Sequence, residues 1–257
     1  MQLIAVETAA DTAGVIVEIV TARAPHRLGV ATGSSPEPTY RELVRRRVLE
    51  PETELYLVDE YVGLADCSPA SYRATIAYAL ADPCGGLRIV GPDVHRDDLP
   101  AAAAEYEQAL QDFGGVDLQL LGIGRNGHVG FNEPGTPFSS RTRVAHLSDT
   151  TRLDNARFFM SLSEVPTRCI TQGLATISTA KAIILIATGQ AKANAVAALL
   201  TRPPEPALPA SALLAHPHLV LVADAAARSL LHEELWPIGA TRAHRSMPDF
   251  YSHSEQP

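Results

Sequence analysis

Short runs rich in Val, Ile and Leu recur along this chain, and longer stretches of helical character follow them. This rhythm restricts the fold more than any other feature. A strand covered on both faces reads as an unbroken apolar run, and joining two parallel strands takes a crossover, usually a helix. Strands are expected near residues 3–6, 28–31, 54–58, 87–90, 116–122, 182–187 and 219–223, and helices near 9–21, 37–48, 68–79, 99–112, 190–199 and 225–232. The pattern predicts an α/β fold: an open, mostly parallel sheet with helices on both faces, in a three-layer, Rossmann-like arrangement. A chain of 257 residues suits one large core, so residues 1–238 are read as a single domain and the polar 239–257 as a loosely attached tail. Residues 202–209 are Pro-rich and read as a loop. Residues 141–166, polar and Arg-rich, interrupt the rhythm between two core strands and are expected to form a lid.

Charge narrows the function. With 29 acids against 21 bases the formal net charge is −8. The only basic run, Arg45-Arg46-Arg47, reads as a solvated helix face, so nucleic acid is not an expected partner. The N-terminus has no signal-peptide charge pattern, and no apolar run is long enough to span a membrane. Three cysteines lie far apart without a CxxC spacing, which argues against a disulfide framework or a zinc cluster and points to a cytoplasmic location. Only two of the bases are lysines, Lys181 and Lys192.

Four unusual segments directly follow expected strands: Thr32-Gly33-Ser34-Ser35-Pro36, Asp59-Glu60-Tyr61, the GxGxxGH of residues 122–128, and Thr188-Gly189-Gln190-Ala191-Lys192. Loops after the strands of a parallel sheet share one edge, where ligands bind. The first segment joins a strand to a helix start, where free N–H groups and two hydroxyls offer a phosphate cradle. The GxGxxG does not run into a helix, so a nicotinamide dinucleotide is not expected. Instead, His128 and Glu133 lie five residues apart in a glycine-flanked loop, where an imidazole can do acid–base work on a sugar hydroxyl. Asp59 and Glu60 close an apolar strand. Adjacent strand residues point to opposite faces, so only one serves the site easily, and Asp59 is favoured as a general base. Metal-ligand spacing and a nucleophile elbow are missing, so no cofactor or metal is expected and acid–base chemistry on a phosphorylated small molecule remains.

Taken together, LGVATGSSPEPTY (28–40), VDEYVGL (58–64), residues 120–159 with their GHVGFNEPG, and residues 183–192 resemble the glucosamine-6-phosphate deaminases of the glucosamine/galactosamine-6-phosphate isomerase family. The 6-phosphogluconolactonases belong to the same superfamily and form the alternative, but Phe131-Asn132-Glu133-Pro134 favours the deaminase. The resemblance implies a hydrolytic deaminase of amino-sugar (N-acetylglucosamine) catabolism that converts D-glucosamine 6-phosphate and water to D-fructose 6-phosphate and ammonia. By the family pattern, His128 assists ring opening, Glu133 holds and polarises it, and Asp59 moves the C2 proton to C1. Asn126 stands where many members have Asp, which implies a shifted pH profile. The family's substrate ligands map onto Thr32, Gly33, Ser34, Ser35, Gly122, Arg157 and Lys192. Arg143 matches the allosteric region of some members, but Ala145 replaces their Lys, which argues against allosteric activation. The partner implied is a small sugar phosphate, with monomer or homo-oligomer left open. A sugar-phosphate-sensing regulator would need a DNA-binding domain, for which the chain offers no spare length.

Overall fold

The computed structural model describes residues 1–65, 68–237 and 239–243. Cys67 and residues 244–257 of the expected tail lie outside them. Eight parallel strands form the main sheet: β1 (Gln2–Ala5), β2 (Arg27–Val30), β3 (Glu54–Leu57), β5 (Ile89–Val90), β6 (Leu118–Gly122), β9 (Ile183–Ala187), β10 (Leu219–Ala223) and β11 (Thr241–Arg242). Their order is β11-β1-β10-β9-β6-β2-β3-β5. From β2 the chain moves outward through β3 and β5, then returns to β6 on the other side of β2 and continues through β9 to β10. The direction of winding therefore reverses between β2 and β6, and a crevice opens beyond their C-terminal ends.

Alternate residues of these strands feed two cores. Leu28, Val30, Leu55, Leu57, Leu118, Leu120, Ile184 and Ile186 pack under α1 (Ala9–Arg23), α2 (Glu37–Arg46) and α3 (Tyr72–Ile76). Tyr56, Leu121, Leu185 and Leu221 face α4 (Leu99–Asp112), α6 (Leu174–Ile177) and α7 (Ala193–Thr201). This two-sided burial is why the strands read as unbroken apolar runs. Among the described residues no helix is long and apolar enough to cross a membrane.

A second, antiparallel sheet was not anticipated. β4 (Asp59–Tyr61) pairs with β8 (Arg168–Thr171), which pairs with β7 (Arg143–His146). Asp59-Glu60-Tyr61 is thus a strand and not a loop. β7 carries no apolar run, and β8 is a mixed four-residue segment, so neither announces itself in the sequence. The expected lid begins as β7, bound into this sheet, and continues as α5 (Asp149–Asn155) with short 3₁₀ turns.

Three other expectations need correction. Residues 225–232 form turns and not a helix. The Asp224 carboxylate accepts from the N–H groups of Gly189 and Ala227, and the Arg228 guanidinium donates to the carbonyls of Ala223 and Val6, so side chains anchor this turn to the ends of β1, β9 and β10. The 68–79 segment becomes helical only at α3, capped by Ser71 Oγ, and then widens into a π turn at Ala77–Ala81. The arginine run is exposed at the end of α2, the solvated helix face expected of it, with Arg46 bound by Glu42 and Glu18 and Arg47 in a left-handed cap. The tail is attached at its start, where Thr241 and Arg242 pair with Ile4 and Ala5.

Buried Glu107 on α4 ties the layers together. Its carboxylate accepts from Thr142 N (3.0 Å), Thr142 Oγ1 (2.6 Å), Thr176 Oγ1 (2.6 Å) and Gln111 Nε2 (2.8 Å). Burial alone would raise this carboxyl, but the hydrogen bonds outweigh it and hold Glu107 below its ordinary value. Its stabilising contribution is therefore complete above the ordinary carboxylate range and is lost as pH falls through the depressed value. Glu107→Ala is expected to lower the unfolding free energy by about 2–4 kcal/mol at pH 7, because two buried hydroxyls lose their acceptor. Urea titrations at pH 7 and pH 3 should show the deficit shrinking at the lower pH.

Candidate active site

The cleft over the β2–β6 crevice has a volume of about 1620 Å³ and collects residues from every strand-end segment. It is larger than the roughly 300–1,000 Å³ of ordinary small-molecule sites, in keeping with a site open to solvent. Thr32, Gly33, Ser34, Ser35, Asp59, Gly122, His128, Glu133, Arg157 and Lys192 all line it. Asn126 does not. It lies behind the His128 ring.

One end is built for an anion. The turn after β2 passes through Gly33 at φ +115° and enters α2 at Pro36. The N–H groups of Ser34 and Ser35 make no hydrogen bond among the described residues, which leaves two donors free at a helix start. Buried Tyr40 braces the turn from α2, its hydroxyl donating to Ala31 O (2.6 Å) and accepting from Ala31 N (3.1 Å). Ser35 Oγ accepts from Thr188 Oγ1 at 3.2 Å, joining the turn to the segment that carries Lys192. Arg157 reaches the cleft from the 3₁₀ turn after α5, and Arg125 from the GxGxxG loop.

The other end holds the titratable groups. Val58 is the joint between the two sheets: its N–H donates to Val30 O in one, and its carbonyl accepts from Gln172 N beside the other. Asp59, the next residue, is 4% exposed. Burial, and secondarily the charge of Glu60, push its carboxyl up to about 8, against a counteracting hydrogen bond from Phe131 N–H. Glu60 points away from the cleft and accepts from the N–H groups of Tyr72 and Arg73, capping α3. Gly130 is required beside Asp59: a Cβ there would stand 2.9 Å from Asp59 Oδ2 and 2.7 Å from Val58 Cγ1.

His128 is set by the loop around it. A Cβ on Gly124 would lie 2.3 Å from the imidazole, so the ring packs flat on bare backbone. Asn126 Oδ1 accepts from His128 N–H (3.2 Å) and lies 2.7 Å from Nδ1. The backbone N–H can only donate, so it fixes the amide oxygen toward His128. Nδ1 is then the protonated nitrogen, and Nε2 is left as an acceptor. Burial, and next the Lys192 charge, lower the His128 value, while Glu133 and Asp154 oppose them, so the ring is neutral at pH 7. Among the described residues no hydrogen bond joins Glu133 to His128. Glu133 Oε1 accepts from Ser148 N at the start of α5 (3.2 Å), and Asn126 holds the ring.

Supporting residues were missed in the sequence. Asn132, fully buried, donates to Val129 O and Gln172 O and accepts from Arg143. This shapes the loop bearing Glu133 and gives Arg143 a structural contact. The 202–209 loop lies under the GxGxxG turn, where a Cβ on Gly127 would meet Leu208 at 2.2 Å. Asn155 donates to Tyr61 Oη (2.8 Å), which links α5 to β4.

Residues 1–221 match the family model described as glucosamine-6-phosphate isomerases/6-phosphogluconolactonase. The chain belongs to this family. Among relatives, it is 44% identical to a glucosamine-6-phosphate deaminase of Pseudarthrobacter chlorophenolicus over 94% of this chain and 90% of the relative. It is 48% identical to one of Mycolicibacterium smegmatis over 85% and 87%. A solved monomeric glucosamine-6-phosphate deaminase superposes with a TM-score of 0.85 at 37% identity, over 90% of this chain and all of that one. A 6-phosphogluconolactonase from Trypanosoma cruzi, at 19% identity and a TM-score of 0.72 over 90% and 96%, shares the fold.

A raised Asp59 also costs this family member stability. The unfolded chain ionises the carboxyl near its ordinary value and the folded chain only near 8, so stability falls as pH climbs between the two. Asp59→Asn is expected to raise the unfolding free energy by roughly 1–3 kcal/mol at pH 7, with the gain disappearing by about pH 4. Thermal melts of both proteins across that range check it.

Proposed function

We propose that this protein is a glucosamine-6-phosphate deaminase, releasing ammonia and D-fructose 6-phosphate from D-glucosamine 6-phosphate and water. One observation carries the reading: a buried carboxyl and a tautomerically fixed imidazole share a cleft with an anion cradle, in a chain closely similar to named deaminases.

The substrate's phosphate dianion takes the free N–H groups of Ser34 and Ser35 and the charges of Lys192 and Arg157. That places the sugar ring between His128 and Asp59. His128 Nε2 accepts the proton of the C1 hydroxyl and returns it to the ring oxygen, which opens the pyranose. Glu133, within electrostatic reach, favours the transient imidazolium. Asp59 then removes the C2 proton. The substrate's ammonium on C2 is a positive charge beside this carboxyl, and it favours the carboxylate that burial disfavours. The enolate oxygen on C1 takes a proton from the C2 ammonium, and Asp59 returns the C2 proton to C1 of the resulting enolamine, which leaves an iminium at C2. Water adds there, and ammonia departs as the C2 ketone forms. Hydrolysis of this C–N bond makes the enzyme a hydrolase in outcome and an aldose–ketose isomerase in mechanism. A reducing cytoplasm suits the unpaired Cys84 and Cys169.

Incubation with glucosamine 6-phosphate should release equal amounts of ammonia and fructose 6-phosphate. Hydrolysis of 6-phosphogluconolactone with no ammonia from the amino sugar would decide for the lactonase. Asp59→Asn should lower kcat by on the order of 10³, since the base is removed without disturbing the cradle. In the wild type, kcat/KM should climb as pH rises through about 8, where Asp59 of the free enzyme ionises. Asn126→Asp, which gives Nδ1–H an anionic acceptor, should move the His128 limb of the pH profile upward by about one unit. An unchanged profile would remove Asn126 from that role.

A further inference from the structure

Arg125, Arg157 and Lys192 line the cleft together with Asp154, while Glu37 and Arg41 at the start of α2 also line it and pair with each other. Asp154 belongs to α5 and pairs with the guanidinium of Arg125 in the GxGxxG loop. Their side chains are 58% and 42% exposed. An ion pair that wet contributes at most about 1 kcal/mol, so it opens at little cost. Burial, then the charge of Arg125, then that of Arg157, hold the Lys192 ammonium below its usual range, while Asp154 opposes them. Arg125 therefore acts on Lys192 more strongly than Arg157 does. With Asp154 in place these four side chains carry a surplus of two positive charges, that of a phosphate monoester dianion.

We propose that Arg125 is a further phosphate-binding residue held in reserve by its pairing with Asp154, with the substrate's phosphate dianion taking Asp154's place. The proposal rests on the sugar-phosphate reading of the cleft. A guanidinium already turned toward a carboxylate presents the donor fork that suits two phosphate oxygens, so the exchange needs little reorganisation. Asp154 has two effects. It offsets the repulsion among three like charges, and it competes with the incoming dianion. It is a positioning residue and touches no reacting atom.

Inorganic phosphate is the probe, titrated calorimetrically into the wild type, Arg125→Gln, Asp154→Asn and the double variant, with KM and kcat measured alongside. Arg125→Gln should weaken phosphate binding about tenfold, the loss of one charge-assisted contact. Asp154→Asn should tighten it about three- to tenfold by removing the competitor. The double variant should match Arg125→Gln, and the changes should fall on KM with kcat held within about twofold. Weaker or unchanged binding in Asp154→Asn would make the pair only a clasp between loop and lid and overturn the proposal. Unchanged binding in Arg125→Gln would also overturn it, as would a gain that persists in the double variant. Both residues are exposed, and Arg125→Lys, which keeps the charge but loses the fork, should fall between wild type and Gln. Calorimetry needs no turnover, so these outcomes are independent of whether glucosamine 6-phosphate is deaminated.

Discussion

The candidate site depends on the burial of one carboxyl at the seam between two sheets. At Val58 the chain leaves the parallel sheet, and at Asp59 it enters the antiparallel one. Val58 is hydrogen-bonded to both sides, so the backbone of the next residue has no freedom to swing toward water. Asp59 is held against Val58, Gly130 and the Phe131 N–H, below a cleft whose opposite end is polar. Folding the chain this way commits it to placing an ionisable group where ionisation is unfavourable.

The same physical cause acts on both titrating groups of the site. Desolvation raises Asp59 and lowers His128, because in each case it is the charged form that loses hydration. At pH 7 the Asp59 carboxyl is therefore mostly protonated and the His128 imidazole neutral. The charges arrive with a ligand that is itself charged, cationic near Asp59 and dianionic at the far end. Arg125, Arg157, Lys192 and Asp154 show a milder form of the same logic, with like charges kept tolerable by one counter-ion until a dianion enters.

The parallel core was legible because both faces of each strand are covered. Apolar runs such as 183–187 and 219–223 could hardly be anything else, and the segments that follow them had to share an edge. Asp59 over Glu60 was also legible, since strand alternation allows only one of them to face the cleft. The antiparallel sheet was not: the Arg-Val-Ala-His of β7 is stabilised by its partner strand and by α4, and not by any local preference. The turns in place of a helix after Asp224 were equally hidden, because Asp224 and Arg228 anchor the segment to Gly189 and Val6, distant in sequence.

The sequence by itself determined the layer order, the glycine turns and the identity of the groups at the cleft, since these follow from periodicity, backbone permissiveness and side-chain chemistry within a few residues. Only the tertiary structure decided how those groups are held. Asn126 rather than Glu133 bonds the His128 ring, Glu133 bonds the start of α5, and Arg125 meets Asp154 across the cleft. These are pairings between segments brought together by packing, and neither burial nor the electrostatic environment of a carboxyl exists until that packing is complete.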